Sequence, residues 1–357
     1  MKWRTMPLDV IKAAVPYAFV GGPFGSNLTT RDYLDEGVPV IRGNNLSAGS
    51  SFHDDDFVFV SEKKADDLRS NTAHAGDLVF TQRGTLGQVG LVPREPRFPR
   101  YIISQSQMKL TVDPETADAS FVYYFFRQPA TEQKVINHAV TSGVPHINLG
   151  ILKNFSITLP DVECQQRIAS ILSAYDDLIE NNRRRMVLLE EAARQLYREW
   201  FVRLRFPGHE HTRIVNGVPE GWEKGCVGHF YGTSSGGTPS RKNPEYFAGE
   251  IPWVKTQELA NAFIIDTEEK ITEDALANSS AKLFPERSVL IALYGATVGE
   301  LGVLALPSTT NQACCAVFPK DSRTHYIHAF LFFRENKEKL VGLSAGAAQK
   351  NISQQIV

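Results

Sequence analysis

Apolar positions along this chain follow two different periods. Between Glu163 and Leu204 they step by four and three through Ile168, Leu172, Tyr175, Ile179, Met186, Leu189, Ala193, Leu196 and Trp200, with no Gly or Pro in the run. That spacing predicts one helix with a heptad seam: Leu172, Ile179, Met186, Ala193 and Trp200 at a, and Ile168, Tyr175, Leu189 and Leu196 at d. Asn182 is the polar member of the seam, a device that controls register at some cost in stability. At about 1.5 Å per residue the helix would run roughly 60 Å. A core helix of one large domain would explain an apolar stripe, but not its narrowness or the charged flanks Arg183, Arg184, Arg185, Glu190 and Glu191. Left in water, the seam would forgo on the order of 10–20 kcal/mol, at roughly 1.5–3 kcal/mol per large apolar side chain. The pattern calls for a partner helix.

On either side the apolar runs are short and punctuated by Gly and Pro, which predicts mixed α/β domains with many short strands. Pro39–Leu46 reads as a strand entering a polar loop, and Gly76–Val92 as strand, glycine turn and strand. Ser120–Ala139 reads as a helix kinked at Pro129, Ser142–Asn148 as a turn, and Phe155–Pro160 as a strand delivering the chain to the long helix. Arg205–His211 reads as a Pro/Gly linker.

Beyond that linker the same pattern returns in the same order. Trp3 is echoed by Trp222, GGPFGS (Gly21–Ser26) by SSGGTPS (Ser234–Ser240), and PVIRGNNL (Pro39–Leu46) by PWVKTQEL (Pro252–Leu259). RGTLGQVGLV (Arg83–Val92) matches YGATVGELGVL (Tyr294–Leu304), with Gly87 and Gly90 falling on Gly299 and Gly302. ISQSQMKL (from Ile103) matches TNQACCAV (from Thr310), FVYYFFRQ (from Phe121) matches FLFFREN (from Phe330), and GVPHIN (from Gly143) matches GAAQKN (from Gly346). Ordered coincidence on this scale predicts duplicated domains. The expected organisation is residues 1–160, a first domain; 161–206, one long coiled-coil helix; and 207–357, a second domain. The second copy stops at Val357, where the first is about to enter its strand and long helix.

Composition changes little in this picture. The 357 residues hold 42% hydrophobic and 22% charged residues, ordinary for a globular protein of two or three domains. The net charge of −2 shows no basic bias, so any nucleic-acid binding must use local patches or a basic partner. Four cysteines without CxxC spacing predict reduced thiols, no zinc and a cytoplasmic protein, with adjacent Cys314 and Cys315 suited to a buried strand. The N-terminus lacks the apolar core of a signal peptide, and no run approaches a membrane span.

Catalytic signatures are missing from the sequence. Asn243-Pro244-Glu245-Tyr246 only faintly matches an amino-methyltransferase NPPY motif, and no glycine-rich cofactor loop precedes it. Glu62-Lys63-Lys64 lacks the Pro-Asp of a nuclease site, Ser61 with Lys64 is a chance SxxK, and no GxxxxGK[ST] occurs. The nine histidines are scattered, with His209 and His211 in the linker. The loops do carry side chains suited to reading DNA: Arg42, Asn44, Asn45, Gln82, Arg83 and Thr85 in the first copy, and Lys255, Thr256, Gln257 and Tyr294 in the second. Arg pairs bidentately with guanine and Asn or Gln with adenine, while backbone amides in glycine turns can approach phosphates. Ordinary loop polars and β-turn glycines would look the same.

The run from Leu159 and Pro160 through Phe201 resembles the central conserved region of the specificity subunits of type I restriction–modification systems. The flanking domains resemble their two target recognition domains, through GGTPS (Gly236–Ser240), PWVKT (Pro252–Thr256) and NISQ (Asn351–Gln354). The resemblance implies two duplicated α/β (mixed α+β) target recognition domains joined by a long coiled-coil helix. Each would read one half of a split double-stranded DNA sequence, while the helix region holds the halves apart and docks methyltransferase (modification) subunits. S-adenosylmethionine, ATP and Mg would belong to the modification and restriction subunits, with no cofactor on this chain. Two departures stand out. Cys164 separates Glu163 from Gln165, where the family runs Glu-Gln, and the family's second conserved helix is missing. Three covers for the seam Ile168, Leu172, Tyr175, Ile179, Asn182, Met186, Leu189 and Leu196 stay open: a second copy of the chain, another subunit, or none because the chain is truncated and defective. The rival functions are a protein-only coiled-coil adaptor and an enzyme with a hidden cofactor site.

Overall fold

The computed structural model describes residues 3–46, 51–141, 143–343, 351–354 and 357. The expected turn residue Ser142, and residues 346–350 of the GAAQKN match, lie outside them. The chain divides into two compact units, Met1–Arg185 and Met186–Val357, with the boundary inside the long helix.

The first unit opens with β1 (Arg4–Pro7), β2 (Phe19–Gly21), β3 (Val38–Ile41), β4 (Val58–Val60), α1 (Glu62–Asp67) and β5 (Thr72–Ala73). It continues through β6 (Leu78–Thr81), β7 (Val89–Leu91), β8 (Tyr101–Ile103) and β9 (Gln107–Leu110). Then come α2 (Ala119–Arg127), α3 (Pro129–Asn137), α4 (Leu149–Lys153), β10 (Ser156–Leu159) and α5 (Val162–Tyr197). Two four-stranded sheets form, in the orders β2-β9-β6-β7 and β4-β3-β8-β5, and β1 pairs antiparallel with β10. Buried Leu78, Phe80, Met108, Leu110, Val122, Phe126 and Ile157 make the main core between the first sheet and the helices. The expected kink at Pro129 is a full break. Gln128 is extended (φ −67°, ψ 130°) because the proline ring excludes the helical region for the residue before it.

The second unit follows the end of α5 with a hairpin, β11 (Ile214–Val215) and β12 (Val218–Pro219), turned at Asn216-Gly217. The expected Pro/Gly linker, Arg205–His211, precedes this hairpin and ends in a 3-10 turn, His209–His211. The unit then builds α6 (Val227–Phe230), β13 (Tyr231–Ser235), β14 (Ile251–Val254), β15 (Phe263–Ile264), β16 (Lys270–Ile271) and α7 (Glu273–Ala277). β17 (Val289–Ala292), β18 (Leu301–Leu304), β19 (Thr309–Thr310), β20 (Cys314–Pro319), α8 (Tyr326–Glu335) and α9 (Lys337–Gly342) complete it. Its sheets run β13-β20-β17-β18-β15 and β16-β14-β19.

The duplication is visible in the registers. Phe80 pairs with Met108 and Thr81 with Gln107 in the first unit; Ile291 pairs with Cys315 and Ala292 with Cys314 in the second. The parallel pairs Ile41–Ile103 and Val254–Thr310 match in the same way. Cys314 and Cys315 are buried in β20 as expected, and burial pushes the Cys315 thiol up to about 12. The Trp3 and Trp222 echo is not matched by a shared setting: Trp3 is half exposed, whereas Trp222 packs on Phe201 and Phe206.

Regular α-helix ends at Tyr197, seven residues short of Leu204, and widens into a π-helical turn, Arg198–Val202. In this turn Tyr197 and Phe201 stack at 5.2 Å, and both rings meet His328 of α8.

Candidate nucleic-acid interface

Four loops of the first unit meet around the short connection Ser104-Gln105-Ser106, between β8 and β9. The Ser104 amide donates to the Ile41 carbonyl at the end of β3 (3.0 Å), and the Ser106 carbonyl accepts from the Gln82 amide past the end of β6 (2.6 Å). The Gln105 side chain donates to the carbonyls of Gly25 and Leu28, holding the loop after β2. The Ile147 amide donates to the Gln82 carbonyl (3.0 Å), and Arg83 bridges to His146.

Each loop presents side chains from this frame. After β3, a 3-10 turn (Gly43–Leu46) packs against β6 and β7. Asn45 shapes the turn: its Oδ1 accepts from the Arg42 amide (2.9 Å) and its Nδ2 donates to the carbonyls of His53 and Asp55. It is 0% exposed, so its amide holds the turn from inside and does not face solvent. Asn44 is exposed and donates to Asp56 Oδ2 (2.8 Å); Arg42 Nη2 donates to the Asp56 carbonyl (3.0 Å). The Arg42 Nε is buried and has no partner among the described residues. Between β6 and β7, Gly84 (φ +95°) and Gly87 (φ +88°) take left-handed turns that side chains rarely adopt, leaving Arg83 and Thr85 exposed.

The second unit repeats the frame with different tips. The Asn311 amide donates to the Val254 carbonyl (3.0 Å) and the Leu293 amide to the Ala313 carbonyl (2.8 Å). Gln312 accepts from the Thr238 hydroxyl, and the Ile352 amide donates to the Leu293 carbonyl. A 3-10 turn (Thr256–Glu258) follows β14, with Glu258 accepting from the Lys255 amide as Asn45 does from Arg42. Gly295 and Gly299 repeat the two left-handed glycines. Gln257 is exposed at the position of Asn44, Tyr294 stands at the position of Arg83 and bridges to Asn351, and Thr256 is half-buried.

Electrostatics divides the two turns. Lys255 Nζ pairs with Glu268 (2.5 Å) and Glu269 (3.1 Å), and its side chain is only 18% exposed. Both bonds, Glu268 first, hold its ammonium above the usual lysine range. The Arg241 guanidinium holds Glu269 below the ordinary carboxylate value and lies 4.0 Å over the Phe247 ring. Lys255 therefore braces its loop through two carboxylates, where its counterpart Arg42 is tied to the Asp56 carbonyl. The clamp residues Gln105 and Gln312 were not singled out from the sequence. The available signal was their identity at one position of the ISQSQMKL and TNQACCAV match. Among the described residues no group of three His, Cys, Asp or Glu side chains could hold a metal ion, and no helix is long and apolar enough to cross a membrane.

The family model for the type I restriction modification DNA specificity domain matches residues 26–191 and 219–357. The chain belongs to this family. The two matches cover the two copies of the loop frame, and the first runs on into α5. Among curated members, the MjaIX specificity subunit of Methanocaldococcus jannaschii is 25% identical over 252 residues, covering 70% of this chain and 57% of that one. The HindI specificity subunit of Haemophilus influenzae is 22% identical over 312 residues, 70% of this chain and 67% of its own length. This chain thus spans little more than half the length of the first of these type I specificity subunits. The crystal structure of a type I S subunit from M. genitalium shares the fold, with a TM-score of 0.60 at 16% identity over 100% of this chain and 86% of that one.

The seam that resembles the family's conserved helix lies largely open within the chain. Met186 is 69% and Leu189 67% exposed, and Leu172, Tyr175, Ile179, Asn182 and Leu196 are exposed too. Ile171 and Leu178, also exposed, widen the stripe beyond the heptad positions. Ile168 departs from the seam expectation, because it packs with Ala169 onto the core of the first unit.

Proposed function

We propose that this chain is the non-catalytic specificity subunit of a type I restriction–modification complex, acting in the cytoplasm. Each unit reads one half of a bipartite double-stranded DNA sequence through its loop frame. One observation carries the reading: the same hydrogen-bonded frame is built twice, and the residues at its tips differ between the copies. Asn44 answers to Gln257, Arg83 to Tyr294 and Arg42 to Lys255. A constant frame with variable tips is what two readers of different half-sequences require, because backbone bonds position the loops and side chains discriminate base edges.

Arg83, Thr85 and Asn44, with Gln257 and Tyr294, are the proposed base or phosphate contacts; Arg42, Asn45, Gln82, Lys255 and Thr256 hold the loops that present them. The exposed α5 seam is the proposed docking face for modification subunits, which with the restriction subunits supply S-adenosylmethionine, ATP and Mg chemistry.

Selection of random duplexes by the chain together with its modification subunits tests the reading. The wild type should enrich a split motif. Asn44→Ala or Arg83→Ala should relax the first half only and Gln257→Ala the second half only, each weakening its preferred base by about 1–3 kcal/mol. Binding should weaken steeply with salt. Enrichment of no motif, with or without partners, would sink the proposal and leave a protein-only adaptor.

A further inference from the structure

Phe24 is 89% exposed in the loop that follows β2, and this loop is fixed at several points. The Gly22 amide donates to the Gln107 carbonyl (2.7 Å), and Gln105 holds the carbonyls of Gly25 and Leu28. A Cβ on Gly22 would lie 2.1 Å from the Ser104 carbonyl oxygen, so the loop presses directly on the connection from which the other loops radiate. A lone exposed Phe on a plain surface needs no explanation. This one shares its anchor with Arg83 and Asn44. At the matching place in the second unit stands Thr238, tied by its hydroxyl to Gln312. The clamping glutamine is common to both copies, but Gln105 holds only backbone and leaves the Phe24 ring free, whereas Gln312 holds the Thr238 side chain itself. The side chain at this place thus changes between the copies, as it does at the other tips.

We propose that Phe24 is a further specificity residue, which reads the 5-methyl group of a thymine in the half-sequence recognised by the first unit. The inference rests on the DNA-reading role proposed above. A phenyl ring has no hydrogen-bonding group, and the one apolar feature that base edges offer in the major groove is that methyl. The neighbouring arginine and asparagine are the types that read the same groove, so ring and polar tips address one stretch of bases.

Random-duplex selection by the full chain with its modification subunits, wild type against Phe24→Ala, should show the variant losing a thymine preference at one position of one half. The other half should stay intact. Replacing that thymine by deoxyuridine should weaken wild-type binding roughly fourfold, the value of one buried methyl, and leave the variant's binding unchanged. Indifference of the wild type to uracil at every thymine, or equal sensitivity in both proteins, overturns the assignment while the enriched motif stands. Loss of affinity in the variant without uracil sensitivity, accompanied by reduced duplex bending, would make Phe24 a wedge between base steps and overturn it as well. A wild type that enriches no motif removes the DNA-reading role itself, and this proposal with it.

Discussion

Lys109 and Asp77 form a buried ion pair in the first unit, Nζ to Oδ2 at 3.4 Å, on adjoining strand segments. Asp77 also accepts from the His74 amide and the Thr111 hydroxyl, so its carboxylate is held on three sides. The register places Ala316 and Ser288 at the same two positions of the second unit, both buried. One sheet position thus tolerates an ion pair or a small apolar and hydroxyl pair, provided that both members change together. Lys109→Ala alone should cost about 3–5 kcal/mol, because it strands a buried carboxylate. Adding Asp77→Ser should recover much of that loss, and chemical denaturation of the two variants measures the coupling.

At the scale of elements, each part of the long helical stretch is tied to a helix of its own unit. In the first unit, Tyr124 of α2 donates to Asp176 (2.8 Å), and buried Gln165 accepts from the Asp118 amide at the start of α2 (3.0 Å). In the second, Glu190 pairs with Arg334 of α8 and Arg198 with Glu335 (2.7 Å). His328 sits among the Tyr197 and Phe201 rings, with its Nδ1 3.2 Å from the Tyr231 hydroxyl. Burial lowers its pKa below the ordinary 6.5, so the folded state favours the neutral ring. The unfolded chain then binds more protons as pH falls below 6.5. The stability tied to His328 is complete above that value and is lost as pH drops through the folded pKa. Unfolding of the second unit, followed from pH 7.5 to pH 5, should show this loss, and His328→Phe should flatten it.

For the whole molecule, the exposed seam of α5 is the face whose role in assembly a substitution tests. Leu172, Ile179 and Met186 are exposed within the chain, so replacing all three with Glu removes apolar partner surface without disturbing either core. Two folded units with unchanged circular dichroism, and no complex with modification subunits by solution mass, is the expected result. Persistence of the complex would show that assembly uses another face.

Period and order along the chain determined the long helix, the buried strand at Cys314-Cys315 and the duplication. Hydrophobic spacing and turn glycines are local properties that survive without knowledge of neighbours. Where regular helix gives way to the π turn depended on packing, since Tyr197 and Phe201 meet a histidine 131 and 127 positions away. The same holds for the roles of the loop residues. Arg42, Asn44 and Asn45 look alike in sequence as polar loop positions. Only the fold turns Asn45 inward to hold the turn, leaves Asn44 at the tip and makes Gln105 the common clamp. These differences come from long-range hydrogen bonds between loops, which no local pattern encodes.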